Sequence, residues 1–212
     1  KFRILDAGFR IGDSGSGIRD QGFDAYPVVL KPLGLSGSRG VIRADALPAF
    51  EAAVQRIRAL LARPAIRAAR TGLDDQILVE EYIPGREYAV EGVLTGGALR
   101  VFAIFDKPDP LEGPFFEETL YVTPSRLPTP AQGQLVGHVQ RASAALGLSH
   151  GPIHAECRVT PDGKIYVLEI AARPIGGLCS RVLSFGSHSL EEVLLRHATG
   201  DAIAGGTREP DA

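Results

Sequence analysis

Between two runs that alternate apolar and polar residues stands Pro161-Asp162-Gly163-Lys164. Asp-Gly flanked by such runs is a strong short-range signal for a β-hairpin, because a tight two-residue turn needs the positive φ that glycine tolerates. The expected strands are Pro152 to Val159 and Lys164 to Ile170. With Asp162-Gly163 as the turn, Pro161 faces Lys164. Counting back in step then places Glu156 opposite Glu169 and His154 opposite Ala171 on one face. Ala155, Cys157, Val159, Leu168 and Ile170 fall on the other face, which suits a core.

Facing residues in an antiparallel pair hold their Cβ atoms about 5 Å apart, so two carboxylates there repel unless a cation or proton lies between them. A hard cation resolves the conflict. Mg²⁺ prefers oxygen ligands and commonly uses one or two carboxylates together with substrate phosphates. The competing reading is a solvated sheet face whose glutamates splay apart, toward Arg158 and Arg173.

The rest of the chain supplies strands and helices in alternation without a repeated period, which indicates an α+β or α/β architecture. Tyr26 to Lys31 and Val41 to Arg43 read as short strands on either side of a small-residue loop. Phe50, Val54, Ile57 and Leu61 recur at helical spacing, with Asp45 as the expected cap. Gln76 to Tyr82 reads as a strand, Glu87 to Asp106 as a hairpin about Gly96-Gly97, and Asp106 to Pro114 as a loop. A returning strand is expected over Phe115 to Val122. Leu135, Val139, Ala142 and Leu146 mark a second helix that Gly147 ends. Ser189, followed by Glu191 and Glu192, starts a third. The chain after Gly200 reads as a polar, frayed tail.

A length of 212 residues accommodates one large domain or two small lobes, and 44% hydrophobic with 23% charged residues is globular composition. A formal net charge of -2 argues against a broad basic surface for nucleic acid or anionic membrane. No apolar run reaches bilayer-spanning length. Cys157 and Cys179, the only cysteines, form neither a CxxC pair nor a disulfide framework, so a reducing cytoplasm is the expected setting. The chain starts at Lys1 and contains no methionine, and is expected to be a fragment.

Two further segments carry chemistry. In Val28-Val29-Leu30-Lys31-Pro32 a lysine ends an apolar strand and the loop Gly34-Leu35-Ser36-Gly37-Ser38-Arg39-Gly40 follows, so an ammonium and several backbone N–H groups can meet one anion. The competing reading is a hairpin connection with a solvated lysine. This is no Walker A loop, since Gly-Lys-Ser/Thr is absent. Val79-Glu80-Glu81-Tyr82-Ile83-Pro84-Gly85-Arg86-Glu87 passes from strand through turn to strand. Its backbone suits a purine edge and its following carboxylate suits two ribose hydroxyls, although read by itself it is a polar turn, with Val79, Tyr82 and Ile83 more often core than adenine pocket.

Taken in order, VVLKP, GLSGSRGV, VEEYIPGREYAVEG, FDKPDPLEGPFFEE, GPIHAE and VLEIAARPIGG resemble the ATP-grasp superfamily, in particular its carboxylate-amine ligases of the amino-acid ligase and carnosine synthase kind. The resemblance runs from about Tyr26 to Ile175. It implies two α+β lobes with antiparallel sheets clasping a nucleotide: a smaller lobe over 1–84 carrying the lid, a larger one over 85–205, and a tail over 206–212. It implies ATP as cofactor with Mg²⁺, or Mn²⁺ in its place. Lys31 would bind phosphate, and Gly34, Ser36, Gly37, Ser38 and Gly40 would belong to the phosphate lid. Glu80, Tyr82, Ile83 and Leu168 would border the nucleotide base, and Glu87 would hold the ribose. Glu156 and Glu169 match the metal-binding acids. Arg173 matches the arginine that steadies the acyl phosphate, Lys107 lies near the phosphates, and His154, Gly176 and Gly177 lie near the substrate. An exposed loop lysine, a strand histidine bonded to backbone, and an arginine merely salt-bridged to Glu156 or Glu169 are the competing readings.

The implied reaction forms an acyl phosphate from a carboxylate and ATP, then an amide with an amine, releasing ADP and phosphate. The implied partners are these small molecules, with no nucleic acid or membrane, and a homodimer is compatible. The chain departs from the family in three places. Only 30 residues precede Lys31, and Lys1 does not match the family's earlier lysine. Ala171 stands where many members have asparagine, and the segment after Gly200 is short. A nucleotide-binding module without catalysis, or an ATP-grasp enzyme of the purine-biosynthesis type, are the alternatives.

Overall fold

The computed structural model describes residues 2–6, 26–68, 75–117 and 120–201, with backbone alone over 2–6. It is an α+β structure built on antiparallel sheets. Two compact units divide the chain: Lys1–Ile83 with Leu111–Glu118, and Pro84–Pro110 with Thr119–Ala212.

In the first unit the order is β1 (Phe2–Asp6), β2 (Val28–Pro32), β3 (Ile42–Ala44), α1 (Leu47–Leu61), α2 (Pro64–Arg67) and β4 (Gln76–Glu81). The strands form one sheet in the order β1-β4-β2-β3, paired antiparallel. Strand β1 carries no alternation that marked it in the sequence. The helix buries Phe50, Val54, Ile57 and Leu61 against Val28, Leu30, Ile77 and Val79. Each such side chain contributes about 1.5–3 kcal/mol by leaving water. Asp45 is not the cap: Ala46 occupies that position without a side-chain bond, and Asp45 Oδ1 instead accepts from Arg43 Nε at 2.7 Å.

The second unit holds β5 (Arg86–Thr95), β6 (Ala98–Lys107), α3 (Thr129–Ala145), β7 (Gly151–Val159), β8 (Ile165–Ala171), α4 (Leu178–Arg181), β9 (Ser184–Phe185), β10 (His188–Ser189) and α5 (Leu190–Ala198). Its main sheet has the order β6-β5-β7-β8, all antiparallel. Apolar groups on one face, Tyr88, Val90, Leu94, Ile153, Ala155 and Cys157, pack with Leu135 and Val139 of α3. The opposite face carries Ala89, Val93, Phe102 and Phe105, which pack with Ile175, Leu183, Phe185, Leu190 and Val193. Strand β5 is therefore covered on both faces.

Two expectations change here. Helix α3 rotates its buried stripe to Leu135, Val139 and Ser143, leaving Leu146 64% exposed just past its end. Among the described residues of 115–122 there is no strand, only isolated bridges from Phe115 to Ile42 and from Val122 to Asp106. Ser189 does cap α5, accepting from the Glu192 N–H at 3.2 Å. The expected tail 206–212 lies outside the described residues.

Candidate functional site

Two groups of side chains matter, one in each unit. In the first, Lys31 on β2 reaches Glu80 on β4, Nζ to Oε2 2.7 Å, both partly exposed. The register pairs Val29 with Glu80 and Lys31 with Leu78, so this is a diagonal contact on one sheet face. The loop Gly34–Gly40 follows β2 directly, with Ser36 to Arg39 exposed. Ser38 holds a positive φ of 54°, unusual for a side-chain-bearing residue, and Arg39 Nε donates to the Ser36 carbonyl at 3.2 Å.

Tyr82 follows β4 and donates its N–H to the Pro27 carbonyl at 3.1 Å. The Arg43 guanidinium lies over its ring, 4.1 Å from the centroid. The same guanidinium donates to the Glu112 carbonyl at 2.7 Å, so Arg43 ties the Tyr82–Ile83 segment to the Leu111–Glu118 loop. Arg43 was not legible as a site residue, because nothing in a three-residue strand marks which loop its side chain meets.

In the second unit the charged groups share one sheet face as cross-strand rows. Lys107 faces Glu87, which faces Arg158. Glu87 is consequently held from both sides: Oε1 accepts from Lys107 Nζ and Oε2 from Arg158 Nε, each at 2.9 Å, with all three side chains buried. The next row runs Ala89, Glu156, Glu169, and the one beyond it Glu91, His154, Ala171. Lys107 also reaches Glu156 Oε1 at 2.8 Å.

The position of Lys107 removes the reading of an exposed loop lysine: it is the last residue of β6 and is buried. Arg158, which the competing reading sets beside the splayed glutamates, is buried and donates from Nε to Glu87 Oε2 at 2.9 Å. Arg173 is exposed and donates to its neighbour's carbonyl, Pro174 O, at 3.0 Å. Glu169 is exposed and has no ion-pair partner among the described residues. Gly176 and Gly177 are exposed in the bend before α4.

Glu156 and Glu169 do face each other, but by a different route from the simple turn. The loop contains three residues, Pro161, Asp162 and Gly163. The Gly163 N–H returns to the Thr160 carbonyl at 2.8 Å, and Gly163 adopts φ 80°, so Thr160 rather than Pro161 pairs with Lys164. Cys157 then faces Val167, and a bulge at Leu168 restores the Glu156–Glu169 pairing. The bulge takes Leu168 out of the core, where Ile165, Val167 and Ile170 remain. Leu168 is left half-buried.

His154 lies between two carboxylates, with Nδ1 3.2 Å from Glu91 Oε2 and Nε2 3.8 Å from Glu156 Oε1. Burial opposes its charge and is the largest single influence, yet the hydrogen bonds and charges of Glu156 and Glu91 outweigh it and hold the imidazole at about 9. Burial pushes the Glu91 carboxyl above its ordinary range, against the lowering effects of His154 and the Ile175 N–H. Burial, with Glu156 and Glu87 nearby, drives the Cys157 thiol up to about 12, so it is not a nucleophile at neutral pH.

Among the described residues no group of three or more His, Cys, Asp or Glu is arranged to hold a metal unaided. The donor set that fits a hard cation is the Glu156–Glu169 pair, two oxygen ligands that substrate phosphates would complete. Glu91 was missed in the sequence because its partner, His154, lies on a strand joined to β5 by no hairpin.

The chain is 38% identical over 110 residues to carnosine synthase 1 of Gallus gallus, covering 52% of this chain and 12% of that protein. It is 31% identical over 150 residues to D-alanine–D-alanine ligase of Aromatoleum aromaticum, covering 70% of this chain and 44% of the other. The crystal structure of an L-amino acid ligase from Bacillus licheniformis superposes with a TM-score of 0.75 at 29% identity, covering 100% of this chain and 47% of that one. The chain thus spans less than half the length of each of these relatives. A family profile described as ATP-grasp domain matches residues 24–182, and the chain belongs to the ATP-grasp family.

Proposed function

We propose that this chain is the nucleotide-binding core of a carboxylate-amine ligase that uses ATP and Mg²⁺, with Mn²⁺ as a substitute. The observation that carries the reading is the opposed pair Glu156 and Glu169, on the sheet face that also bears Lys107, His154 and the Glu87–Arg158 pair. Held by these two carboxylates, the cation would offset charge on the ATP phosphates. By the family resemblance, Lys31 and the Gly34–Gly40 loop take phosphate oxygens, backbone groups around Glu80, Tyr82 and Ile83 meet the base, and Leu168 is a further nucleotide-binding residue. Glu87 spends one lone pair of each oxygen on Lys107 and Arg158 and keeps acceptor capacity for ribose hydroxyls. Arg173, exposed and donating to the adjacent Pro174 carbonyl, is available to the transferring phosphoryl group.

In the first step a carboxylate oxygen attacks the γ-phosphorus and ADP leaves. In the second an amine attacks the acyl carbon and phosphate leaves, giving the amide. His154 and the Gly176–Gly177 bend border the acid and amine. A second reading, favoured by Ala171 opposite His154, is a nucleotide-binding module without turnover. Product analysis of the full-length protein separates them. The ligase releases ADP and phosphate only when an acid and an amine are both present. MgATP binding without release under a panel of acid and amine pairs supports the module, and AMP with pyrophosphate refutes acyl-phosphate chemistry.

A further inference from the structure

Strand β5 is buried at every residue from Glu87 to Leu94, and in its middle stands a carboxylate, Glu91, with no solvent exposure at all. Burying an ionisable group there costs several kcal/mol unless every oxygen is satisfied, and an apolar side chain of similar volume usually serves a core as well or better. Both Glu91 oxygens are used. Oε1 accepts the Ile175 N–H at 3.0 Å and Oε2 meets His154 Nδ1 at 3.2 Å. Ile175 is itself packed in the core, two residues after Arg173 and immediately before Gly176-Gly177. His154 turns its other nitrogen toward Glu156. One buried carboxylate therefore holds the backbone of the Arg173–Gly177 segment and the imidazole beside Glu156.

We propose that Glu91 is a positioning residue of the ligase reaction: it fixes the Arg173–Gly177 turn and the His154 ring in one arrangement on the sheet. The proposal rests on the ligase reading above. Glu91 touches no reactant and acts through its two partners. The groups it fixes serve the two transfer steps, Arg173 at the phosphoryl group and His154 with Gly176-Gly177 at the substrates, rather than nucleotide capture, so its loss lowers turnover and leaves ATP affinity in place.

The test uses Glu91→Gln and Glu91→Leu in the full-length protein. It measures kcat and KM for an acid and amine pair that drives ADP release, MgATP binding by calorimetry, and hydrogen exchange at the Ile175 amide. The expected result is a kcat lower by roughly tenfold or more in both variants, as for loss of an outer-shell hydrogen bond. The MgATP dissociation constant should stay within about threefold, and Ile175 exchange should be about tenfold or more faster in Glu91→Leu. Glu91→Gln keeps an acceptor for Ile175 but turns an N–H toward His154, so it carries the test if Glu91→Leu fails to fold. A kcat within about twofold of wild type in Glu91→Gln, or unchanged Ile175 exchange in a folded Glu91→Leu, overturns the proposal. Absence of ADP release by the wild type with any acid and amine pair counts against the ligase reading instead, and the exchange measurement still decides whether Glu91 holds the turn.

Discussion

Glu156 faces Glu169 across β7 and β8, and among the described residues Glu156 meets the Lys107 ammonium at 2.8 Å while Glu169 has no ion-pair partner. Lys107 also holds Glu87, so one buried ammonium stabilises two carboxylates. Replacing it by methionine keeps the stem and removes the charge, leaving Glu87 with Arg158 alone. The expected loss is about 3 kcal/mol of unfolding free energy, as for one partner removed from a buried pair. Urea melts of wild type and Lys107→Met check this, and a difference below about 0.5 kcal/mol would show the network to be energetically idle.

Gly85 joins β4 to β5 at φ 124°, and a Cβ there would lie 2.2 Å from the Val159 carbonyl oxygen. Backbone, not a flexible side chain, is in the way. Gly85→Ala should cost about 2 kcal/mol or more. Gly133 is the converse: it is exposed within α3 with nothing near a new Cβ, so Gly133→Ala should stabilise by up to about 1 kcal/mol. Melts of equal sign for the two variants would contradict this part of the structure.

His197 of α5 is buried, hydrogen-bonded to Thr95 Oγ1 at 2.8 Å and stacked on His150 at 4.2 Å. Burial first, and the His150 charge second, hold it below 6.5. The unfolded chain therefore takes the proton first. The stability contributed by neutral His197 is complete above about 6.5 and is lost as the pH falls toward and through the folded value. His197→Gln keeps a partner for Thr95 without the titration. Urea melts between about pH 7.5 and 5 should show a smaller acid loss for the variant than for wild type. Equal losses would place the acid sensitivity elsewhere.

Much of the second sheet was legible because hairpins are local. The Gly96-Gly97 turn does join β5 to β6, pairing Thr95 with Ala98. The Glu156–Glu169 pairing was read correctly although the loop is one residue longer than a two-residue turn, because the bulge at Leu168 compensates. That compensation left no trace in the pattern, and it is why Leu168 was placed in the core. Helix α3 shows the same limit: Leu146 follows the apolar period, but the helix ends at Ala145 and the next residue turns outward. Contacts between segments distant in the chain were not legible. The Glu91 contacts to His154 and Ile175 and the Arg43 contacts to Tyr82 and Glu112 depend on strand order and loop placement that no local spacing encodes.

Joint binding by Glu156 and Glu169 of the cation that accompanies ATP, as proposed above, is tested by Glu169→Gln without knowledge of the substrates. An amide keeps the oxygen and removes the charge, so MgATP affinity should fall by about tenfold or more, with turnover nearly lost. Without ligand the variant should be as stable as wild type, or more so by up to about 1 kcal/mol, because two opposed carboxylates no longer repel. Thermal melts of both proteins with and without MgATP read both effects at once. A MgATP-induced rise in melting temperature is expected for wild type and should be largely absent in Glu169→Gln; equal rises in the two proteins would rule out the shared cation.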